Sequence, residues 1–366
     1  MRLYKMELYK LCHRKVFIIG AVCILGILLS AFWIHVMDEE STVDGTRRQG
    51  LPAVRMNREI TEEYKGALTD EKAEQIIARY GFPDKREEGW NYFRNANFLN
   101  QFVMDYLSDG YMYSYDDYRV GSRVYPIADT GLGAVQEYTG KEIILEYYRG
   151  WSVFLDIFTL GMILSEILLL FTISAVFADE GQKKMLPLLF TAKEGKKKDT
   201  IAKIGAAFTV AAGVWVCVFS ITLLLCGTVY GFDGLHCYNG MVVSYLMPMP
   251  DRIIPMYVYV MMVLVLSLFG ILSLCAATLC LSAYCKGSFH AVTAAAVCWG
   301  APFLLMLFTN GFNGIFKVLS AAPIFMVLYE IVDKIYDVWL MPVGISVAVI
   351  AGCIYRGYGK YERQQG

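Results

Sequence analysis

Six long apolar stretches alternate with polar segments along the 366-residue chain. A helix needs about 20 mostly apolar residues to cross a bilayer, and its backbone must be fully paired because lipid offers no hydrogen bonds. The stretches of this length predict spans at Val16–Val36, Val153–Ala178, Ile204–Tyr230, Met256–Leu281, Phe289–Thr309 and Val338–Tyr355. A hydrophobic share of 56% and a mean hydropathy of +0.44 agree with this pattern. The sequence therefore predicts an all-α polytopic membrane protein with six transmembrane helices.

Two apolar segments have a second interpretation. The first span follows basic residues, as a signal peptide does, but its apolar run exceeds the usual 7 to 15 residues. Ile34–Asp38 also lacks the small residues of a cleavage site, so we expect a retained span. Val318–Tyr329 is apolar but short and contains Pro323. This length favours a re-entrant or interfacial segment before the sixth span over a seventh span.

Basic residues in the short connections predict the orientation, because such loops resist translocation. With the N terminus in the cytoplasm, the cytoplasmic segments hold sixteen basic residues and the short outer connections hold only three, Arg252, Lys317 and Lys334. We therefore expect both termini to be cytoplasmic, in the plasma membrane.

The largest polar segment, residues 37–150, lies between the first two spans. It contains 21 acidic and 14 basic residues, whereas the remainder of the chain is net basic. Thr69–Tyr80 has a threonine N-cap, acidic residues in its first turn and a following Gly81, which predict a helix. Trp90–Leu107 has a weaker helical pattern, and Glu137–Tyr148 predicts a helix that continues into the second span. We therefore expect a large, mainly helical extracytoplasmic domain here.

The sequence offers no recognisable catalytic chemistry. It lacks the GxxxxGK[ST], HExxH and GxSxG patterns, and its ten cysteines and four histidines do not have metal-site spacing. None of the cysteines falls in residues 37–150, which excludes a disulfide framework there. We expect no enzymatic activity, no metal site, no cofactor in this chain and no nucleic-acid partner.

Two carboxylates fall inside the second predicted span. Glu166 is near its centre, and Asp156 is about one turn from its outer end. A charged carboxylate costs roughly 2.5 to 3.5 kcal/mol at the centre of an inserted helix. Both are therefore candidates for a substrate path, although hydrogen bonding of Glu166 to a neighbouring span is an equally open explanation.

The connection between the second and third spans, residues 179–203, combines acidic, apolar and basic residues. An apolar patch lies between Glu180 and a lysine-rich run that includes Lys203; it consists of Met185, Leu186, Leu188, Leu189 and Phe190. The patch is too short to span a membrane. It can dock onto a soluble partner, or dip into the inner leaflet while the lysines bind anionic lipid.

This arrangement resembles the permease subunit of type-2 ABC exporters. The similarity is carried by Met6–Leu11 before the first span, Asp156–Glu180 along the second span, Leu188–Thr191, the basic run and Lys203. In that family a long second helix leads through a coupling helix to a lysine that opens the third helix. The chain departs from the family at Ala192–Glu194, where a proline and an arginine are common, and at Pro187, which either ends or begins the coupling helix.

The resemblance implies four consecutive segments. They are an amphipathic elbow at 1–15, a first span at 16–36, an extracytoplasmic domain at 37–150 and a five-helix region at 151–366. It also implies a separate ATPase chain that binds ATP and magnesium, a second permease half in a homo- or heterodimer, and contact with membrane lipid. The implied ATPase-binding residues of the coupling loop 179–203 are Glu180, Met185, Leu188, Leu189, Phe190 and Lys203. The alternatives are a receptor or immunity module that binds a peptide without transport, and an ion-coupled carrier.

Overall fold

The computed structural model describes residues 2–85, 93–112, 118–182, 195–243, 254–285, 287–308 and 317–363, and most of them are helical. The helices are α1 Arg2–Cys12, α2 Lys15–Asp38, α3 Leu51–Tyr64, α4 Asp70–Tyr80, α5 Phe98–Leu107, α6 Gly131–Thr139, α7 Arg149–Ile173, α8 Ala175–Gln182, α9 Gly195–Val229, α10 Asn239–Val243, α11 Met256–Tyr284, α12 Ser288–Phe308, α13 Pro323–Met326, α14 Ile331–Ile335 and α15 Leu340–Arg363. The strands are β1 Glu40–Val43, β2 Thr46–Gln49, β3 Gly66–Ala67, β4 Asp84–Lys85, β5 Phe93–Arg94, β6 Tyr111–Met112, β7 Tyr118–Arg119 and β8 Ile144–Leu145.

Six helical segments of the described chain are long and apolar enough to cross a membrane. They are Lys15–Asp38, Arg149–Asp179, Lys197–Val229, Met256–Tyr284, Ser288–Phe308 and Leu340–Lys360. Each overlaps one predicted span, so the expectation of six apolar helices is confirmed. This composition is that of an all-α, multi-pass membrane protein.

The chain divides into two compact units. The span unit contains Met1–Leu28, Phe158–Ile221 and Met261–Gly366. The interspan unit contains Leu29–Ile157 and Thr222–Val260. The boundaries therefore fall within α2, α7, α9 and α11, and not at the ends of the apolar stretches.

Helices α7 and α11 are the most enclosed spans. Other parts of the chain bury 72% of the most apolar 18-residue stretch of α7–α8 and 61% of the corresponding stretch of α11. In the other four spans this buried share is 11 to 22%. Within the span unit, small residues allow close packing around α7. A Cβ at Gly161 would lie 2.7 Å from Val218, and one at Gly20 would lie 2.5 Å from Leu168. The central helix thus approaches α2 and α9 more closely than larger side chains would permit.

The segment Val318–Tyr329 contains the four-residue helix α13. Its side chains at Phe325 and Met326 are buried, and Ser346 of α15 lies 3.1 Å from the Met326 sulfur. A Cβ at Gly270 of α11 would lie 3.0 Å from the Met326 Cβ. The segment is thus packed between α11 and α15, and its re-entry into the membrane remains a prediction.

In the interspan unit, helix α4 confirms the predicted helix at Thr69–Tyr80. The Thr69 side chain accepts a hydrogen bond from the Lys72 N–H at 3.3 Å, and the Gly81 N–H donates to the Ile77 carbonyl at 2.8 Å. Both ends therefore have the caps that the sequence indicated. The buried apolar core of the unit joins α3, α4, α5 and α6 with strand β8.

Two other helix predictions are wrong in extent. Of the pattern at Trp90–Leu107, the described residues begin at Phe93 and are helical only from Phe98, because Asn97 and Asn100 form a reciprocal N-terminal capping box there. Glu137–Tyr148 does not run into the second span. Helix α6 ends at Gly140, which has a left-handed conformation at φ 63°, and Ile144–Leu145 pairs with Gly66–Ala67.

The core of the interspan unit also contains residues from the connection after the third span. Tyr238 and Met241 are buried among the α3–α6 side chains, although they follow the third span. Lys65 donates to Asp233 at 3.0 Å, and this hydrogen bond raises the pKa of the Lys65 ammonium. The Gly234 N–H donates to the Glu146 carboxylate at 2.7 Å. The domain predicted at 37–150 is therefore completed by the connection between α9 and α11.

Candidate functional site

The predicted coupling loop is only partly described. Met185, Leu188, Leu189 and Phe190 lie outside the described residues, as does the side chain of Glu180. The described parts, Ala175–Gln182 and the first turns of α9, are helical. The loop between them is thus flanked on both sides by helices of the span unit.

A break in the second span lies just before this loop. Helix α7 ends at Ile173 and α8 begins at Ala175, so Ser174 separates two helices. The hydroxyl of Ser282, on α11, donates to the Ser174 carbonyl at 2.6 Å. The Ser282 hydroxyl oxygen also accepts hydrogen bonds from the N–H groups of Phe177 at 3.0 Å and Ala178 at 3.1 Å. Ser282 therefore caps the start of α8 from a neighbouring helix.

Arg14 binds both sides of the same break. It lies between α1 and α2, and its guanidinium donates to the Thr172 carbonyl of α7 at 2.9 Å. The other terminal nitrogen is 3.6 Å from the Asp179 carboxylate of α8. The carbonyl of Thr172 lies at the C-terminal end of α7, where the helix dipole favours a cation. Arg14, Ser282 and the α7–α8 break together form what we call the joint.

Lys203 is buried at the start of α9. Its side chain is 1% exposed, and its ammonium forms an ion pair with Asp199, one turn earlier, whose side chain is 8% exposed. The ammonium is therefore held against Asp199 in the first turns of α9 and does not present its charge at a surface. Any contribution of Lys203 to partner binding therefore acts through the conformation of α9.

Glu166 is fully buried in the span unit. One carboxylate oxygen accepts a hydrogen bond from the Trp299 indole N–H of α12 at 2.6 Å. For the other oxygen, Oε1, no partner is found within the described part of the chain. Asp156 lies ten residues earlier on α7, half-buried in the interspan unit. The carboxyl of Glu166 is the more completely enclosed of the two.

The sequence did not indicate five of these residues. Arg14, Asp179, Asp199 and Ser282 resemble many other polar residues near the ends of spans, and their partners are distant in sequence or one turn away. Trp299 is likewise a common residue in an apolar helix. The Asp199–Lys203 pair has the i,i+4 spacing of a helical ion pair and was therefore visible in the sequence. No periodicity predicts which polar groups meet across helices, so only the tertiary structure reveals the other contacts.

Comparisons with protein families, with characterised proteins and with solved structures find no match. Among the described residues, no group of three or more His, Cys, Asp or Glu side chains is arranged to hold a metal ion. The geometry of the span unit is therefore the basis for a functional proposal.

Proposed function

We propose that the chain is the transmembrane permease subunit of an ATP-driven ABC exporter. The observation that carries this proposal is the joint at Ser174, directly before residues 179–203. A soluble partner that moves this loop also moves α8, which directly precedes it. Arg14 and Ser282 connect α8 to α1, α7 and α11 through hydrogen bonds and an ion pair. The arrangement provides a mechanical connection from the loop to the spans.

Helix α8 also connects the loop to the buried carboxyl. It packs against α12, and α12 carries Trp299, the donor to Glu166. Motion of α8 can therefore alter the surroundings of Glu166 through one intervening helix. This supports Glu166 as a residue of the substrate path; Asp156 is a second candidate on the same helix.

The proposed partner is a separate ATPase chain that binds ATP and magnesium. The apolar side chains Met185, Leu188, Leu189 and Phe190 are its docking residues, and Glu180 is a charged residue at the edge of the contact. Truncating a buried apolar anchor of an interface commonly costs about 2 kcal/mol or more, which reduces affinity more than ten-fold. A second permease half, identical or different, completes the transporter.

The test of this function is co-purification from the native membrane. We expect a P-loop ATPase to co-purify with the tagged full chain in mild detergent, identified by mass spectrometry. Leu189→Ala with Phe190→Ala should reduce its recovery at least about ten-fold, because two apolar anchors are lost. Expression level and membrane insertion should be unchanged.

The matched control is Leu304→Ala with Leu307→Ala, which truncates two exposed apolar side chains of α12 that lie outside the loop. It should retain the ATPase. Absence of any P-loop ATPase from the purified complex, or full ATPase recovery with the loop variant, would contradict the proposal.

The proposed orientation places both termini in the cytoplasm of a cell whose plasma membrane holds the protein. It rests on the sixteen basic residues expected on that side against three on the other. Asp84→Cys, at an exposed position of β4, should react with an impermeant maleimide on intact cells. Lys196→Cys, at the start of α9, should react only after the membrane is permeabilised. Peptide mass spectrometry distinguishes these sites from native cysteines, and the opposite labelling pattern would reverse the orientation.

A further inference from the structure

An apolar groove lies within the span unit, between α1, α2, α7 and α9. It has a volume of about 430 Å³ and is open on one side. Its lining is almost entirely hydrocarbon. Representative lining residues are Leu8 of α1, Phe17 and Leu28 of α2, Leu168 of α7, and Gly213 and Ile221 of α9.

The hydroxyl groups in the lining already have partners. Ser165 donates to the Gly161 carbonyl at 2.7 Å, and Thr209 donates to the Gly205 carbonyl at 2.9 Å. The Thr209 hydroxyl is also 2.7 Å from the hydroxyl of Tyr4. A polar ligand would therefore lose its hydrogen bonds with water without gaining replacements in the groove. The groove is suited to an occupant that is hydrocarbon along its whole buried length.

The groove has the length of one lipid leaflet. Its lining runs from Phe17 to Leu28 on α2, which is about 16 Å at about 1.5 Å per residue. On α9 it runs from Thr209 to Ile221, about 18 Å by the same rise. Half of the hydrocarbon core of a bilayer is about 15 Å. A single acyl chain lying parallel to the helices therefore fits the groove along its length.

Basic residues lie at the end of the groove formed by α1 and the start of α2. Lys5 is one turn before Leu8 and hence on the same face of α1, and Lys15 is the first residue of α2. Both lysine side chains are exposed. Ammonium groups at the membrane surface attract the headgroups of anionic lipids. The charge at this end therefore complements a negatively charged headgroup.

We propose that this groove binds one acyl chain of an anionic phospholipid, whose headgroup lies at Lys5 and Lys15. The lipid belongs to the leaflet in which α1 lies. Because its acyl chain contacts α1, α2, α7 and α9 together, the bound lipid holds the N-terminal helix against the bundle. This site does not depend on the ATPase partner, so it is tested on the purified chain alone.

The first experiment fills the groove. Gly213 lines it, and among the described residues outside its own stretch of helix no atom lies within 4 Å of a Cβ placed there. Gly213→Leu therefore adds a bulky side chain at the wall of the groove with no clash at its Cβ. The full chain is reconstituted with phosphatidylglycerol that carries a diazirine in its acyl chain, irradiated, and mapped by peptide mass spectrometry. We expect cross-links in residues 17–28 and 209–221 that fall roughly ten-fold in Gly213→Leu, since an occupied space excludes the chain.

The matched control is Gly300→Leu on α12, where a Cβ also meets no described atom within 4 Å and which does not line the groove. It should leave the cross-links unchanged. If Gly213→Leu fails to fold, Ala21→Leu fills the same groove from α2 and should have the same effect. Unchanged cross-links in a folded groove-filling variant would overturn the proposal. A groove-filling variant that changes the oligomeric state in native mass spectrometry but keeps the cross-linked lipid would also overturn it.

The second experiment tests the headgroup. In the unmodified chain, the phosphatidylglycerol probe should cross-link several-fold more than a phosphatidylcholine probe with the same acyl chain. Lys5→Gln with Lys15→Gln should abolish this preference, whereas Lys141→Gln with Lys317→Gln, at two exposed lysines elsewhere, should preserve it. Equal cross-linking of the two probes to the unmodified chain would contradict an anionic headgroup at this site.

Discussion

Lys203→Met is expected to destabilise the purified protein by about 3 to 5 kcal/mol, because it removes one partner of a buried ion pair. Methionine retains most of the apolar length of lysine but leaves the Asp199 carboxylate without the ammonium that it contacts in the structure. The loss should be concentrated at the start of α9, where faster hydrogen exchange of the amides of residues 199–207 would report it. Thermal unfolding in lipid nanodiscs measures the overall change.

Two further variants separate the ion pair from a general charge effect. Lys197→Met removes an exposed lysine of the same helix and should change stability by no more than about 0.5 kcal/mol. Lys203→Met combined with Asp199→Leu removes both buried charges and should recover most of the lost stability, since a buried pair often contributes little net free energy. A stable Lys203→Met protein, or a double variant as unstable as the single one, would show that the pair does not stabilise α9.

Trp299→Phe is expected to destabilise the span unit by about 1 to 3 kcal/mol, the usual cost of leaving a buried polar group without its partner. Phenylalanine has no N–H group, so Glu166 loses the hydrogen bond that Trp299 donates at 2.6 Å. The carboxyl then stays enclosed in a region of low dielectric constant. Size-exclusion chromatography after heating measures the folded fraction without relying on tryptophan fluorescence.

Trp215→Phe is a matched control, because it deletes the same ring atoms and the same N–H group. Trp215 donates at 2.9 Å to the hydroxyl of Ser267, which is itself bonded to the Leu264 carbonyl. Its loss should therefore cost less than that of Trp299. Glu166→Leu in the Trp299→Phe background should restore stability, because it removes the unsatisfied carboxyl. Equal losses in the two tryptophan variants, or no recovery in the double variant, would contradict a specific Glu166–Trp299 interaction.

These two predictions concern opposite ends of one proposed connection. Lys203 and Asp199 form an ion pair in the helix that follows the predicted coupling loop, and the joint contacts the helix that precedes it. Helix α8 packs on α12, which carries the partner of Glu166. If the loop docks an ATPase, Ser282 and Arg14 are the residues through which its movement first reaches the spans.

Local sequence signals were reliable where they act within a few residues. The N-cap of α4 depends on Thr69 and an amide three residues later, and the structure confirms it. The extension of Glu137–Tyr148 into the second span was wrong because Gly140 ends α6 and because Leu145 pairs with Gly66. The glycine was visible in the sequence, but the strand partner lies 79 positions earlier, and a periodicity of 3.6 residues does not report such pairs.

The sequence alone determined the six apolar helices, because the requirement for about 20 apolar residues is met within each stretch. It also identified Glu166 and Asp156 as unusual, since a charged carboxylate within an apolar helix is costly. The Trp299 partner of Glu166, the break at Ser174, the contribution of Tyr238 and Met241 to the interspan core and the groove beside Gly213 were decided only by the tertiary structure. Each of these depends on the distance between helices that are far apart in the chain, and helix packing sets that distance through side-chain shape, which no local pattern encodes.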